Sequence, residues 1–159
     1  MSALDQMYQE VILDHSKRRI GEGLAAGDAT PMGDEDAAGC HHEYNPTCGD
    51  EILVRVGLNG DTVTSLTWQG DGCSISMAAA SVLSEMAPGA DVSTLLTQIE
   101  AYREMLRSRG AAEPDEELLG DAVAFLGVSR FVARVKCAAL AWVATEAALR
   151  QAAAGRTED

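Results

Sequence analysis

The sequence predicts an α+β domain in which a small three-stranded antiparallel sheet carries helices on one face. Three observations predict it. Apolar side chains recur at helical spacing over residues 3–18. Two strand patterns joined by a turn signal follow between residues 51 and 69. From residue 75 onward helical spacing returns and no further strand pattern occurs. A helix, a small sheet and then more helices make the layer order of an α+β domain.

The first helix is predicted from Leu4, Met7, Tyr8, Val11 and Ile12, which form one apolar stripe. His15 falls at its end, where a helix dipole favours a cation. Residues 19–39 are rich in Gly, Ala and Asp, include Pro31, and read as a loose loop. A short strand is expected near His42 to Asn45. Ile52, Val54, Val56 and Leu58 alternate with Glu51, Leu53, Arg55 and Gly57, which is strand periodicity. Asn59-Gly60 is a hairpin signal because both residues tolerate positive φ. The β-branched and aromatic run 62–69 supplies the partner strand.

Ile75, Ala78, Ala79, Val82, Leu83 and Met86 then describe a helix that Pro88-Gly89 stops. Asp91 is placed to cap the next helix, which runs through Leu95, Leu96, Ile99, Tyr102, Met105 and Leu106. An acidic loop is expected at 108–117, a short helix at 118–126 and an Ala-rich helix at 133–153. The 159 residues suit a single domain over 1–159, with 151–159 expected to be a disordered tail. Met77, Met86, Met105 and Trp142 fall at helical positions that suit the core.

Twelve Lys and Arg stand against 25 Asp and Glu, a formal charge of −13. Such a chain repels phosphate backbones and anionic membranes, so neither a nucleic acid nor a membrane is expected as a partner. No apolar run reaches the roughly 18 residues of a membrane-spanning helix. The N-terminus carries acids early and lacks the apolar core of a signal peptide, so a cytoplasmic location is expected.

Four cysteines remain: Cys40, Cys48, Cys73 and Cys137. In a reducing compartment, cysteines with polar, Gly-rich neighbours are metal ligands or reactive thiols more often than disulfides. In Asn45-Pro46-Thr47-Cys48-Gly49-Asp50, Cys48 and Asp50 stand two apart on a segment entering a strand, so a period of two puts them on one face. Cys73 follows Gly70-Asp71-Gly72 at the start of a helix, where free N–H groups favour a thiolate. Cys137 lies near the start of the last helix, with Arg134 three residues earlier on the same face and Lys136 adjacent. Three thiolates and a carboxylate carry four negative charges, and a divalent ion would leave two for such cations to offset. This donor set suits zinc or an iron–sulfur cluster. Cys137 within an apolar run equally suits a core thiol, and Asp50 a turn residue. Cys40-His41-His42 also looks like ligand chemistry, but reads better as a thiol and two solvated histidines outside the site.

The motifs NPTCGD (45–50), GDGCSIS (70–76) and RVKCAALAW (134–142) resemble the ligand motifs of the U-type (NifU/IscU-like) iron–sulfur cluster assembly family. LDQMYQEVILDH (4–15) and LGVSRF (126–131) resemble it too, so the likeness covers about residues 4–150. Lys136 stands where the scaffold branch of that family has a His, and 101–121 looks like the extra stretch of the SufU-type branch. Two departures stand out. Val132 occupies a position where the family often has proline, and Ser16-Lys17-Arg18 replaces an early Asn-Pro-Arg.

The resemblance implies a SufE/NifU-like fold and a zinc site of Cys48, Asp50, Cys73 and Cys137. It implies a zinc-dependent sulfurtransferase in which Cys48 accepts persulfide sulfur. The partners implied are a pyridoxal-phosphate-dependent cysteine desulfurase of the SufS type and downstream iron–sulfur assembly proteins. Arg134 is expected to stabilise the Cys48 thiolate by charge. The alternatives are a scaffold for a transient iron–sulfur cluster on the same residues, and a structural zinc module that only binds partners.

Overall fold

A computed structural model describes residues 3–23 and 29–157. Helix α1 (Ala3–Arg18) leads into a sheet of β1 (Ala37–Tyr44), β2 (Glu51–Asn59) and β3 (Thr62–Asp71). Helices α2 (Ser74–Met86), α3 (Val92–Arg107), α4 (Glu116–Leu119) and α5 (Val132–Thr157) follow, with two short 3-10 turns at Gly120–Leu126 and Val128–Arg130. The sheet is antiparallel with β2 in the middle.

On β2 the predicted alternation holds. Ile52, Val54, Val56 and Leu58 are each no more than 1% exposed, and Val54 pairs with His41 on one side and Trp68 on the other. This face receives α5 and α2. Gly39, opposite Val56, lets β1 approach α5 closely, since a side chain there would place its Cβ 1.8 Å from the Ala148 carbonyl oxygen. The other face is not left to solvent. Arg55 points that way, is buried, and donates to Glu35 at 2.6 Å and to the Thr30 carbonyl at 2.8 Å. The chain before β1 therefore closes the side that no helix covers.

Several boundaries differ from expectation. β1 begins at Ala37, so 37–39 belong to the sheet and not to a loose loop. Its sequence, Ala-Ala-Gly-Cys-His-His, has no alternation to reveal it. Residues 24–28 of that loop lie outside the described residues. Asn59 pairs with Thr62, so the two-residue turn is Gly60-Asp61, with Gly60 at φ +60°, one residue later than the Asn-Gly signal suggests. The short helix expected at 118–126 is mostly a 3-10 turn. The final helix starts at Val132, with no proline to set its first turn, and continues to Thr157, so 151–157 is helical and not a disordered tail.

The predicted stripe on α1 is only partly used. Leu4 and Met7 are about half exposed, whereas Tyr8 and Ile12 pack against the core. The buried residue of this helix is His15. Its Nδ1 lies 2.9 Å from Ser81 Oγ on α2 and its Nε2 3.3 Å from Asp121. His15 thus pins α1 to the helical layer, a larger role than satisfying the helix dipole. Trp142 stacks on Tyr102 at 3.7 Å and donates to the Ala79 carbonyl, which ties α5, α3 and α2 into one core.

Candidate metal centre

Residues 45–50 form a turn, not the start of a strand. The Asn45 N–H donates to the Asp50 carbonyl, the Gly49 N–H to the Asn45 carbonyl, and the Thr47 N–H to the Asn45 side chain. Gly49 has φ +80°, where a side chain would be strained. This turn brings Cys48 and Asp50 to one place, the outcome that strand periodicity suggests but by a different backbone path. Cys48 is exposed, whereas Asp50 is 4% exposed.

Cys73 is the N-cap of α2 and is half-buried, and Cys137 is buried on the second turn of α5. The sulfurs of Cys48 and Cys137 are 3.7 Å apart. Donor atoms of Cys48, Asp50 and Cys137 all lie within 4.8 Å of one another. Cys73 Sγ adjoins this group, 3.5 Å from Asp50 Oδ2. The cysteines make no disulfide; 3.7 Å is far beyond the roughly 2 Å of an S–S bond.

The spacing instead fits an ion between them. A tetrahedral zinc with Zn–S of about 2.3 Å has sulfur–sulfur edges of about 3.8 Å. Burial pushes the Asp50 carboxyl upward, but hydrogen bonds from Ser76, Cys48, Cys137 and the Cys73 N–H outweigh it and hold it below the usual range. Burial pushes the Cys137 thiol up, and the neighbouring Cys48, Cys73 and Asp50 push it further. A buried thiol packed against a carboxylate and two further cysteines suits a divalent cation, which reverses the local balance and deprotonates thiols that coordinate it.

Ser76 is the residue of this centre that spacing did not single out. It is buried in the first turn of α2, donates its hydroxyl to Asp50 Oδ2 and lies 3.5 Å from Cys73 Sγ. Its signal in the sequence is its place three residues after Cys73, which puts both on one helix face.

Arg134 is exposed, and no hydrogen bond or ion pair joins it to a site residue among the described residues. Its side chain lines a groove of about 800 Å³ between α1 and the start of α5, with Tyr8, Ile12, Ile75 and Phe131. Lys136 is exposed too. Cys40, His41 and His42 form no ligand cluster among the described residues: His41 faces the side of the sheet opposite to Cys40 and His42, and the two histidines pair with different carboxylates. His41 pairs with Glu43 at 3.0 Å and His42 with Glu51 at 3.2 Å, while the Cys40 N–H donates to Gln151.

Known proteins resemble this chain over most of its length. Residues 7–138 match the family described as NifU-like N terminal domain. The chain is 38% identical over 144 residues to the zinc-dependent sulfurtransferase SufU of Bacillus subtilis (strain 168), covering 90% of this chain and 89% of that protein. It is 32% identical over 154 residues to the iron–sulfur cluster assembly scaffold protein IscU of Streptococcus pyogenes serotype M1, covering 96% and 89%. The crystal structure of FiSufU from Fervidobacterium islandicum AW-1 superposes with a TM-score of 0.72 at 29% identity, over 91% of this chain and 97% of that one. The motifs, the three-stranded sheet with its helical face and these likenesses agree: the chain belongs to the U-type, NifU-like family of iron–sulfur assembly proteins, as a SufU-type member.

Proposed function

We infer that this protein is a zinc-dependent sulfur acceptor in iron–sulfur cluster biogenesis, taking persulfide sulfur from a pyridoxal-phosphate-dependent cysteine desulfurase of the SufS type and passing it to downstream assembly proteins. The observation that carries this reading is the exposure of Cys48 beside a buried Asp50, a buried Cys137 and a half-buried Cys73. A site built only to hold a structural ion would be closed on all sides.

Cys48, Asp50, Cys73 and Cys137 are the residues that would hold zinc, and the ion would keep the cysteines ionised and tie the 45–50 turn to α2 and α5. Cys48 sits on a turn with a flexible glycine beside it, so it can swing outward without moving a helix. Its thiolate attacks the terminal sulfur of the persulfide on the partner. A new S–S bond forms at Cys48, the old one breaks, and the partner's cysteine leaves as a thiolate, as in thiol–disulfide exchange. Cys73 and Cys137 are fixed by helices and lack that freedom. Arg134, exposed near the start of α5, would offer positive charge to the freed Cys48 thiolate or to the docking partner and so favour the exchange.

The likeness to a protein named as a scaffold supports a second reading, in which the same donors carry a transient iron–sulfur cluster. The test of both is a cysteine desulfurase assay on protein of known metal content. Stoichiometric zinc, stimulation of the desulfurase, its loss in Cys48→Ser and a persulfide on the Cys48 peptide support sulfur transfer. Iron and acid-labile sulfide in the purified protein support the scaffold. Persulfide found on Cys137 or Cys40 would reject Cys48 as the acceptor.

A further inference from the structure

Asp50 is held more closely than a metal ligand on a turn needs to be. Its Oδ1 accepts the Cys73 N–H at 3.1 Å, and its Oδ2 accepts the Ser76 hydroxyl. Gly72 completes the cradle, because a Cβ there would stand 2.9 Å from the Asp50 carboxyl carbon. Both oxygens are engaged, from two neighbouring points of one helix start.

Ser76, like Ser81 with His15, is a buried helical hydroxyl that engages a side chain from outside its own helix, whereas two others do not. Ser84 donates to the Ala80 carbonyl and Thr145 to the Ala141 carbonyl, the usual return bond to the preceding turn. For Ser76 the residue four back is Gly72, outside the helix. Its hydroxyl is free to reach Asp50, and a hydroxyl has one proton to give. Given to Asp50, that proton is not available to Cys73.

The geometry points to Ser76 as the positioning residue for Asp50: its hydroxyl fixes the rotation of the carboxylate so that the oxygens face the three cysteines in the orientation the metal needs. This rests on the metal reading above. The Cys73 N–H fixes one oxygen, and the Ser76 hydroxyl fixes the plane. Hydrogen-bond partners of a ligand commonly hold a site's affinity up by about 10–100-fold.

The test uses the full chain loaded with Co²⁺ as a spectroscopic probe and with Zn²⁺ in competition with a chelator. Ser76→Ala should weaken both metals by about 10–100-fold while keeping thiolate–cobalt absorption and the far-ultraviolet circular dichroism of the parent. In an Asp50→Ala background, the same Ser76→Ala change should have no further effect, because its target is gone. An equal loss in both backgrounds, or an unchanged affinity when Ser76→Ala is made in the parent chain, would overturn the proposal. If the parent chain shows no thiolate–cobalt absorption at all, the metal reading itself fails and takes this proposal with it; if the parent shows it and only the Ser76 effect is missing, the metal reading stands.

Discussion

The sulfur of Cys48 lies 3.7 Å from that of Cys137, a residue 89 positions away along the chain. The turn that presents Cys48 is short, and the helix that presents Cys137 is long and buried, so the two meet only once α5 has packed on the sheet. A cation bound there would tie the 45–50 turn to α5.

Metal removal should therefore loosen the fold. With free zinc at about a thousandfold over its Kd, binding adds ~4 kcal/mol to the folded state, and a domain of this size shifts by roughly 2–4 °C per kcal/mol. Zinc stripping should lower Tm by on the order of 10 °C. Calorimetry on verified apo and zinc-loaded protein measures it, and identical melting curves would exclude a structural contribution from the metal.

Asp50→Ala should alter metal exchange far more than folding. A carboxylate is held less firmly by zinc than a thiolate, so it governs how readily a ligand leaves. Zinc transfer to a chelator should quicken by at least the roughly 10–100-fold typical of disturbing a ligand's support, with little change in Tm of the apo protein. Wild-type zinc retention together with wild-type desulfurase stimulation would remove Asp50 from the working ligands.

Arg134→Ala should separate docking from metal binding. The side chain is exposed and off the donor cluster, so zinc content should match the parent. Stimulation of the desulfurase should fall by about tenfold, equivalent to ~1.4 kcal/mol of lost interaction. Full stimulation by the variant would show that the groove beside the site takes no part in sulfur transfer.

Glu35→Gln tests the clasp behind the sheet. Arg55 holds the Glu35 carboxyl down, and despite the opposing effect of burial the Met32 N–H and Ser65 hydroxyl help bring it from 4.5 to about 2. A carboxyl depressed in the folded state contributes stability that is fully present above its unfolded value of 4.5 and is lost as pH falls towards about 2. The variant leaves Arg55 buried without its counter-charge, at a cost of ~3–5 kcal/mol near neutrality. That gap should shrink below pH 4.5 and close near pH 2. Denaturant titrations of parent and variant at several pH values measure it, and a gap independent of pH would show that Glu35 acts through shape and not charge.

The parts of this protein legible in its sequence are those fixed by neighbours along the chain. Alternation marks β2 because one face of a strand is buried, and it does so whatever packs there. Gly72 before Cys73 announces a helix start, and three cysteine motifs in order announce a family and its donor set. What only the tertiary structure decided is which side chains meet across the chain. Ser76 on Asp50, Glu35 on Arg55 and His15 between Ser81 and Asp121 are all polar contacts made between distant parts of the chain. No local pattern signals such pairs, since each residue alone looks like an ordinary surface polar or charged residue. The same holds for Leu4 and Met7, which carry a core-like period and yet lie half exposed. Periodicity says which side chains share a face, but only the packed layers say whether anything covers it.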